Sequence, residues 1–178
     1  MECSFPFQGA KITLIIIRAV LCGLAFLQFS GCSKGVEPAD EARIVLRESV
    51  DGVKFGDSEE TVVQKLGQSD DIAQGDFPGV TYEYNTGKYA TMHVTIYSPG
   101  VLHSGVVYIS VQSPYPGATK DGIGIGSPRE SVRQILGQPD SHGESVDTTW
   151  DRYEDDAHVV LVNYRGEVVE SLMLGVRM

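Results

Sequence analysis

Apolar and polar residues alternate with a period of two in six segments of this chain, the pattern of strands with one buried face. The segments are Val80 to Tyr84, Thr91 to Tyr97, Gly105 to Gln112, Thr148 to Glu154, His158 to Tyr164 and Glu167 to Leu174. Short turns rich in Gly, Asn, Asp and Pro separate neighbouring segments. Strands joined by such turns are antiparallel, so two three-stranded meanders are predicted.

One short helix is predicted ahead of each meander. Each helix segment has an N-cap residue with glutamate three positions later, two apolar residues four positions apart and a terminal glycine. These residues are Asp57, Glu60, Val62, Leu66 and Gly67 in the first segment and Ser127, Glu130, Val132, Leu136 and Gly137 in the second. Helices of about two and a half turns are unstable alone, so we expect both to pack against the strands.

The two halves of the chain repeat each other. Residues 51–70 match residues 121–140 with ten identities at a constant offset of 70. The predicted fold is therefore α+β, built from two tandem αβββ repeats with the helices on one face of the sheet. The first repeat is assigned to residues 50–114 and the second to residues 115–178. The pattern before them, from Glu41 to Val50, fits either a short helix or a strand.

The N-terminus has the pattern of an export signal. A charged stretch, a short apolar run and small residues lead to Cys32, so residues 1–31 are predicted to be a lipoprotein signal peptide. Lipidation of Cys32 would leave residues 32–49 as a tether to the membrane. An ordinary signal peptide cut near Gly31, with Cys32 incidental, is the alternative. All three cysteines lie at or before position 32, so no disulfide is expected in the exported body.

Charge narrows the classes of partner. Loss of Glu2, Lys11 and Arg18 with the leader leaves 23 acidic and 12 basic residues, a net charge of −11. An acidic body without a cluster of Lys or Arg argues against binding nucleic acid or gripping anionic lipid electrostatically. The Cys32 lipid is then the expected membrane attachment.

The sequence shows no recognisable catalytic motif. The four histidines have no serine or aspartate at a catalytic spacing, and the segment Gly122 to Gly126 fits no phosphate-binding loop. His93 with His103, or His142 with Glu144, could meet as a metal site, but solvent-facing histidines are the simpler interpretation. We therefore expect no catalysis, no cofactor and no metal.

Tyrosines on the strands indicate a binding surface. Alternation places Met92, Val94 and Ile96 on the face beneath the helices, and puts His93 and Tyr97 on the opposite face. Tyr108 is expected to join them. Because exposed aromatic side chains are common in protein interfaces, His93, Tyr97 and Tyr108 are the predicted partner-binding residues. The alternative is that these tyrosines are ordinary strand residues, half covered by their neighbours.

The spacing Gly-x-x-x-Gly-x-[Ser/Thr/Pro]-x-x-x-Val-x-x-x-Leu-Gly-x-Pro resembles the SmpA/OmlA family of lipoproteins, typified by BamE. The doubled arrangement is similar to the beta-lactamase inhibitor protein family. The first resemblance implies an envelope lipoprotein involved in outer-membrane assembly or integrity, facing the periplasm. The second implies a secreted enzyme inhibitor; a small-molecule or lipid-binding module is a further alternative. The leading prediction is a non-catalytic envelope lipoprotein that binds another protein through its sheet face.

Overall fold

The computed structural model describes residues 43–74, 79–100 and 103–178, all within one compact unit, Glu37–Met178. Cys32 and the predicted signal peptide lie outside these residues. The strands are β1 (Ile44–Val45), β2 (Ser49–Val50), β3 (Val53–Lys54), β4 (Asp71–Gln74), β5 (Gly79–Tyr84), β6 (Met92–Tyr97), β7 (Gly105–Gln112), β8 (Ser141–Glu144), β9 (Thr149–Glu154), β10 (His158–Arg165) and β11 (Val168–Val176). The α-helices are α1 (Glu59–Leu66) and α2 (Arg129–Leu136), and Gly87–Tyr89 forms one 3₁₀ turn.

Eight strands form one continuous antiparallel sheet in the order β4-β5-β6-β7-β11-β10-β9-β8. Strands β4 to β7 make one half and β8 to β11 the other. The halves join where β7 pairs with β11, with Ile109 opposite Leu174 and Val111 opposite Leu172. The two shortest strands of the order, β4 and β8 with four residues each, lie at its two ends and form both sheet edges.

The predicted α+β arrangement of two αβββ repeats is wrong. The described chain is mostly β, with 11 strands in two sheets and only two α-helices. Edge strands β4 and β8 read Asp-Ile-Ala-Gln and Ser-His-Gly-Glu, and they lack the apolar alternation of a half-buried strand. The segment before α1 is a three-stranded sheet of two-residue strands, too short to show any period.

Each helix begins one residue later than its predicted cap implies. Ser58 is the N-cap of α1 and its Oγ accepts a hydrogen bond from the Thr61 backbone N–H, while Pro128 takes this position in α2. The Asp57 carboxylate instead accepts from the Lys54 N–H and pairs with Lys65 at 2.6 Å. Gly67 and Gly137 end the helices as predicted, with positive φ of 87° and 84°, but as C-caps with ψ of −169° and −162° and not in the left-handed helical conformation.

The hydrophobic core lies on one face of the large sheet, called here the core face. Both helices pack on it, α1 through Val62 and Leu66 and α2 through Val132. The small sheet adds Ile44 and Val53 to the same cluster. Both helices, the small sheet and the inner strands of both halves of the large sheet contribute to this single core, so the two halves share it.

Tyr115, hydrogen-bonded to an ion pair within the small-sheet segment, ties that segment to the rest of the unit. The Arg43 guanidinium donates to both carboxylate oxygens of Asp51, at 2.7 and 2.9 Å. The buried Tyr115 hydroxyl donates to the same carboxylate at 2.5 Å, and Arg43 stacks on the Tyr115 ring. The segment between β7 and α2 is thereby tied to the turn between β2 and β3.

No helix among residues 43–74, 79–100 and 103–178 is long and apolar enough to cross a membrane.

Candidate functional site

The second face of the large sheet, called here the open face, is accessible to solvent. His93 and Thr95 of β6, Tyr108 and Ser110 of β7 and Met173 of β11 are all only half-buried there. Their strand neighbours Met92, Val94, Ile109 and Leu172 point the other way and are fully buried. The period of two therefore divides these strands between a core and an accessible surface.

Three aromatic rings on the open face lie against glycines of the neighbouring strand. Tyr97 is directly opposite Gly79, Tyr108 opposite Gly175 and Trp150 opposite Gly143. A Cβ atom added to any of these glycines would overlap the ring. Each ring thus covers bare backbone with one face, an arrangement that fills the gap a glycine leaves in a sheet. Tyr108 and Trp150 remain only half-buried, so part of each side chain is accessible to a ligand.

Two of these rings border a depression of about 340 Å³ on the open face. Its lining, called here the apolar patch, is Tyr108, Trp150, Arg152, Val159, Leu161 and Met173. Strand register brings these side chains together: Leu161 of β10 lies between Met173 of β11 and Arg152 of β9. Val159 lies beside Gly175, which in turn faces Tyr108. The patch therefore crosses the four strands from β7 to β9.

Hydrogen-bond donors border the apolar centre of the patch. The Arg152 guanidinium pairs with Glu154 at 2.6 Å, and Arg177 approaches the same carboxylate at 3.6 Å. Burial raises the pKa of the Tyr108 hydroxyl, with Tyr97 adding to the shift and Arg152 opposing it, so the hydroxyl stays protonated at neutral pH. Tyr108, Trp150 and Arg152 can each donate a hydrogen bond from the rim of an apolar surface.

The three residues predicted from the sequence all lie on the open face, but in different environments. Tyr108 belongs to the apolar patch. Tyr97 is 8% exposed and packed on Gly79, so it supports the sheet and is not an exposed contact. His93 lies between Glu83 and Ser110, two strands from the patch centre at Met173. Among the described residues no group of three His, Cys, Asp or Glu side chains is placed to hold a metal ion.

Sequence reasoning missed the other five residues of the patch. Val159 and Leu161 lie in a run, Val159 to Val162, in which every residue is apolar, so alternation could not assign them to a face. Trp150 and Arg152 lie on β9 opposite this run. Trp150, the single tryptophan of the chain, was the one sequence signal of a binding surface on this strand. Its neighbours Asp151 and Tyr153 are buried on the other face.

A second polar centre lies on the core face under α2. Asp151 is 0% exposed and accepts hydrogen bonds from Arg129 at 2.6 and 3.2 Å and from Arg133 at 2.8 Å on both oxygens. Burial raises the pKa of the Asp151 carboxyl, but these two guanidiniums lower it more, and it lies well below its usual range. A groove of about 430 Å³ lies beside this centre.

This second centre is structural. Both guanidiniums are engaged by Asp151, and the groove is also lined by Glu130 and Glu167, which cancel any positive potential for an anion. The ion pairs hold α2 against β9. The Tyr153 and Tyr164 hydroxyls nearby are buried without a hydrogen-bond partner in the described part of the chain.

No protein-family model and no curated protein matches this chain, so the SmpA/OmlA resemblance gains no support. Three solved structures do match. An extracellular protein containing an SCP domain from Bacillus anthracis matches with 10% identity and a TM-score of 0.56, over 79% of this chain and 49% of that one. The chain thus spans about half the length of that protein.

A DUF4309 family protein from Bacillus subtilis matches with 12% identity and a TM-score of 0.50, over 76% of this chain and 88% of that one. A candidate beta-lactamase inhibitor protein from Streptococcus mutans matches with 14% identity over 73% of this chain and 90% of that one, at a TM-score of 0.30. At these identities a likeness concerns the fold alone, and the two Bacillus proteins are the ones whose fold this chain resembles.

Proposed function

We propose that this chain is an exported, lipid-anchored binding protein that recognises another protein through the apolar patch on its open face. The carrying observation is the clustering of Tyr108, Trp150, Arg152, Leu161 and Met173 around one depression. Tyr, Trp, Met and Arg are the residue types enriched at the centres of protein interfaces. Exposed apolar clusters with a polar rim are typical of protein-interaction sites.

The form of the patch supports a protein partner. The Tyr108 and Trp150 rings are already held on Gly175 and Gly143, so little side-chain freedom is lost when a partner packs on them. Aliphatic side chains of Val159, Leu161 and Met173 separate the two rings. This mixture of rigid aromatic rim and aliphatic centre suits an apolar protein surface better than a polar small molecule.

Export and anchoring rest on the leader and on Cys32. A lipid on Cys32 and the predicted tether to residue 49 would place the sheet beyond the membrane surface, within reach of other envelope or secreted proteins. The Bacillus anthracis protein of similar fold is described as extracellular, which agrees with export. The inhibitor and envelope-assembly alternatives both require a protein-binding surface, and differ in the partner's identity.

Affinity capture with matched variants tests the proposal. The full-length protein in detergent is used to capture proteins from solubilised envelopes of its own cells, beside Tyr108→Ala and Leu161→Ala. Ile135→Ala is the control, because Ile135 is also apolar and 42% exposed but lies on α2, across the sheet.

Removing an interface anchor costs about 2 kcal/mol or more, so each patch variant should bind the captured protein at least tenfold more weakly. The control should bind within about twofold of the unaltered protein. A captured protein whose affinity is the same for all four forms would refute the patch as the binding surface.

A further inference from the structure

We infer that two copies of this chain pair edge to edge through β8, which joins their large sheets into one continuous antiparallel sheet. The two β8 strands run in opposite directions about a two-fold axis at Gly143. This interface is distinct from the proposed partner surface and lies beside it, since Trp150 of the apolar patch packs against Gly143.

Strand β8 has backbone groups that point away from the sheet. The Ser145 N–H donates to the Thr148 carbonyl oxygen at 2.7 Å, which closes the turn between β8 and β9. Hydrogen-bonded pairs recur at every second residue of an antiparallel ladder. The pairs bonded across β8 and β9 are then Gly143 with Trp150 and Ser141 with Arg152. The N–H and C=O groups of His142 and Glu144 therefore point out from the sheet edge, where another strand can pair with them.

The two edges of the large sheet differ in this respect. Ile72 of β4 holds the position that His142 holds in β8, at the repeat offset of 70. The Ile72 N–H donates to the Asp71 carboxylate at 2.8 Å, so that edge carries both a satisfied donor and a charge that opposes pairing. Ser141 stands in place of Asp71 in β8, and no side chain of residues 43–74, 79–100 and 103–178 accepts the His142 N–H. The β8 edge is therefore the one open to a strand.

One two-fold register uses all the outward backbone groups of both strands. With the axis at Gly143, His142 of each copy lies opposite Glu144 of the other, and each pair exchanges both of its N–H···O bonds. The same register sets an exposed imidazole opposite an exposed carboxylate, a favourable cross-strand pair. An axis at Glu144 would instead set two carboxylates directly opposite one another, which is destabilising.

The glycine at the axis lets the two indole rings meet. Opposed residues of a non-hydrogen-bonded pair have Cα atoms about 4.5 Å apart, the closest approach in an antiparallel sheet. Gly143 has no side chain there, and its own Trp150 ring fills the space, since an added Cβ would lie 2.5 Å from the ring. The half-buried indoles of both copies therefore approach each other across the joint and bury more apolar surface. The two apolar patches become neighbours on one sheet.

The joint is weak in solution and stronger on a membrane. Pairing of four-residue strands with two indoles buries less than the roughly 800 Å² per copy of a standard interface. The net charge of −11 on the exported body also repels a second copy. The proposed lipid on Cys32 would confine both copies to one surface and raise their effective concentration. Membrane-bound protein is therefore the form to measure.

Disulfide cross-linking in vesicles tests both the interface and its register. His142→Cys and Glu144→Cys proteins, each made as the whole chain and purified from envelopes in detergent, are reconstituted together into phosphatidylcholine vesicles and oxidised with copper phenanthroline. Directly opposed positions of a hydrogen-bonded pair have Cα atoms about 5.5 Å apart, within the range that a disulfide spans. The unaltered protein measures any product of the native Cys3, Cys22 and Cys32.

The mixture should give at least about tenfold more disulfide-linked dimer than either variant alone, because like positions lie diagonally at about 7–8 Å and do not bridge. High salt should raise the yield, since it screens the repulsion between the acidic bodies. A mixture of Ile72→Cys and Gln74→Cys, the same positions on the β4 edge, is the matched control and should give no more product than the unaltered protein.

His142→Pro, added to the Glu144→Cys chain, gives a second readout. Its missing N–H points away from β9, so the fold tolerates proline at this edge position while one inter-copy bond is lost. The yield of the mixture should fall about fivefold or more. Tyr108→Ala should leave the yield within about twofold, which separates this interface from the apolar patch.

Three results would overturn the inference. Equal yields from the mixture and from the single variants would mean random collision or another register. Equal yields from the β8 and β4 edges, or none above the unaltered protein, would mean that β8 is not the joint. A yield unchanged by His142→Pro would mean that no strand pairing occurs there. None of these results bears on binding of a partner protein to the apolar patch.

Discussion

The buried carboxylate of Asp151 offers the sharpest test of how the second half of the molecule holds together. Asp151→Asn keeps the shape of the side chain but removes the charge shared by Arg129 and Arg133, whose side chains are 14% and 34% exposed. Removing one partner of a fully buried ion pair costs about 3–5 kcal/mol. Arg133 can turn toward solvent and Arg129 keeps its hydrogen bond to Thr149, so we expect about 2–4 kcal/mol.

The pH dependence of this effect has a definite sign. Because the pKa of Asp151 is lower in the folded protein than its ordinary value of about 3.9, the unfolded chain takes up the proton first as pH falls. The stabilisation is therefore complete well above pH 4 and is lost as pH falls toward the folded pKa. The difference in stability between the unaltered protein and Asp151→Asn should shrink over that acidic range.

Urea unfolding followed by far-ultraviolet circular dichroism, at neutral pH and in steps toward pH 3, measures both effects. Arg133→Met is the companion variant. The double variant should lose less free energy of unfolding than the sum of the two single variants, since each single change already removes the ion pair between Asp151 and Arg133. A loss below about 0.5 kcal/mol for Asp151→Asn, or a difference independent of pH, would refute the assignment of Asp151 as the anchor of α2.

Three further changes test local features of the fold, each by urea unfolding. Gly105 has φ of 84° and an added Cβ would lie 2.5 Å from the Gly56 carbonyl oxygen, so Gly105→Ala should cost about 2 kcal/mol or more; no loss would contradict this contact. Ser58→Ala removes the cap of α1 and should cost about 1 kcal/mol, whereas an unchanged midpoint would show that Thr61 finds another partner. Tyr115→Phe removes the hydroxyl that donates to Asp51 and should cost about 1–2 kcal/mol; equal stability would mean that Arg43 alone satisfies the carboxylate.

Strands with one buried and one accessible face were predictable from the sequence. The predicted segment Gly105 to Gln112 coincides with β7, and the Val80 to Tyr84 prediction falls one residue short of β5. Alternation works in these strands because each has neighbours on both sides and a core under one face. It also assigned His93 and Tyr108 to the open face.

The edge strands β4 and β8 were not predicted because they bury few apolar side chains. Strand β4 is exposed along its whole length, including Ile72 at 54%, and β8 is half-buried at most. Such strands are held by backbone hydrogen bonds to β5 and β9, which leave no hydrophobic pattern. The repeated Asp70 and Asp140 were a signal of these strands, because each carboxylate accepts a backbone N–H at the end of the adjacent strand, from Asn85 and from Glu154, both at 2.7 Å.

The candidate site was only half predictable, because it depends on register between strands distant in sequence. Tyr108 of β7 and Trp150 of β9 border the same patch because only two strands, β11 and β10, lie between them in the sheet. Val159 lies on β10, one of these two strands. That order follows from the pairing of β7 with β11, which no local pattern encodes. The burial of Tyr97 likewise depends on Gly79 lying opposite it across β5 and β6.

Photo-crosslinking in living cells is the most direct test of the apolar patch as a protein-binding surface. A benzophenone amino acid is placed at Leu161, in the centre of the patch, and in a separate strain at Ile135, on the far side of the sheet. We predict that irradiation joins the Leu161 form to one discrete protein, that Tyr108→Ala reduces this product, and that the Ile135 form yields none of it. The same product from both positions, or none from Leu161 in cells that make the protein normally, would contradict the proposed function.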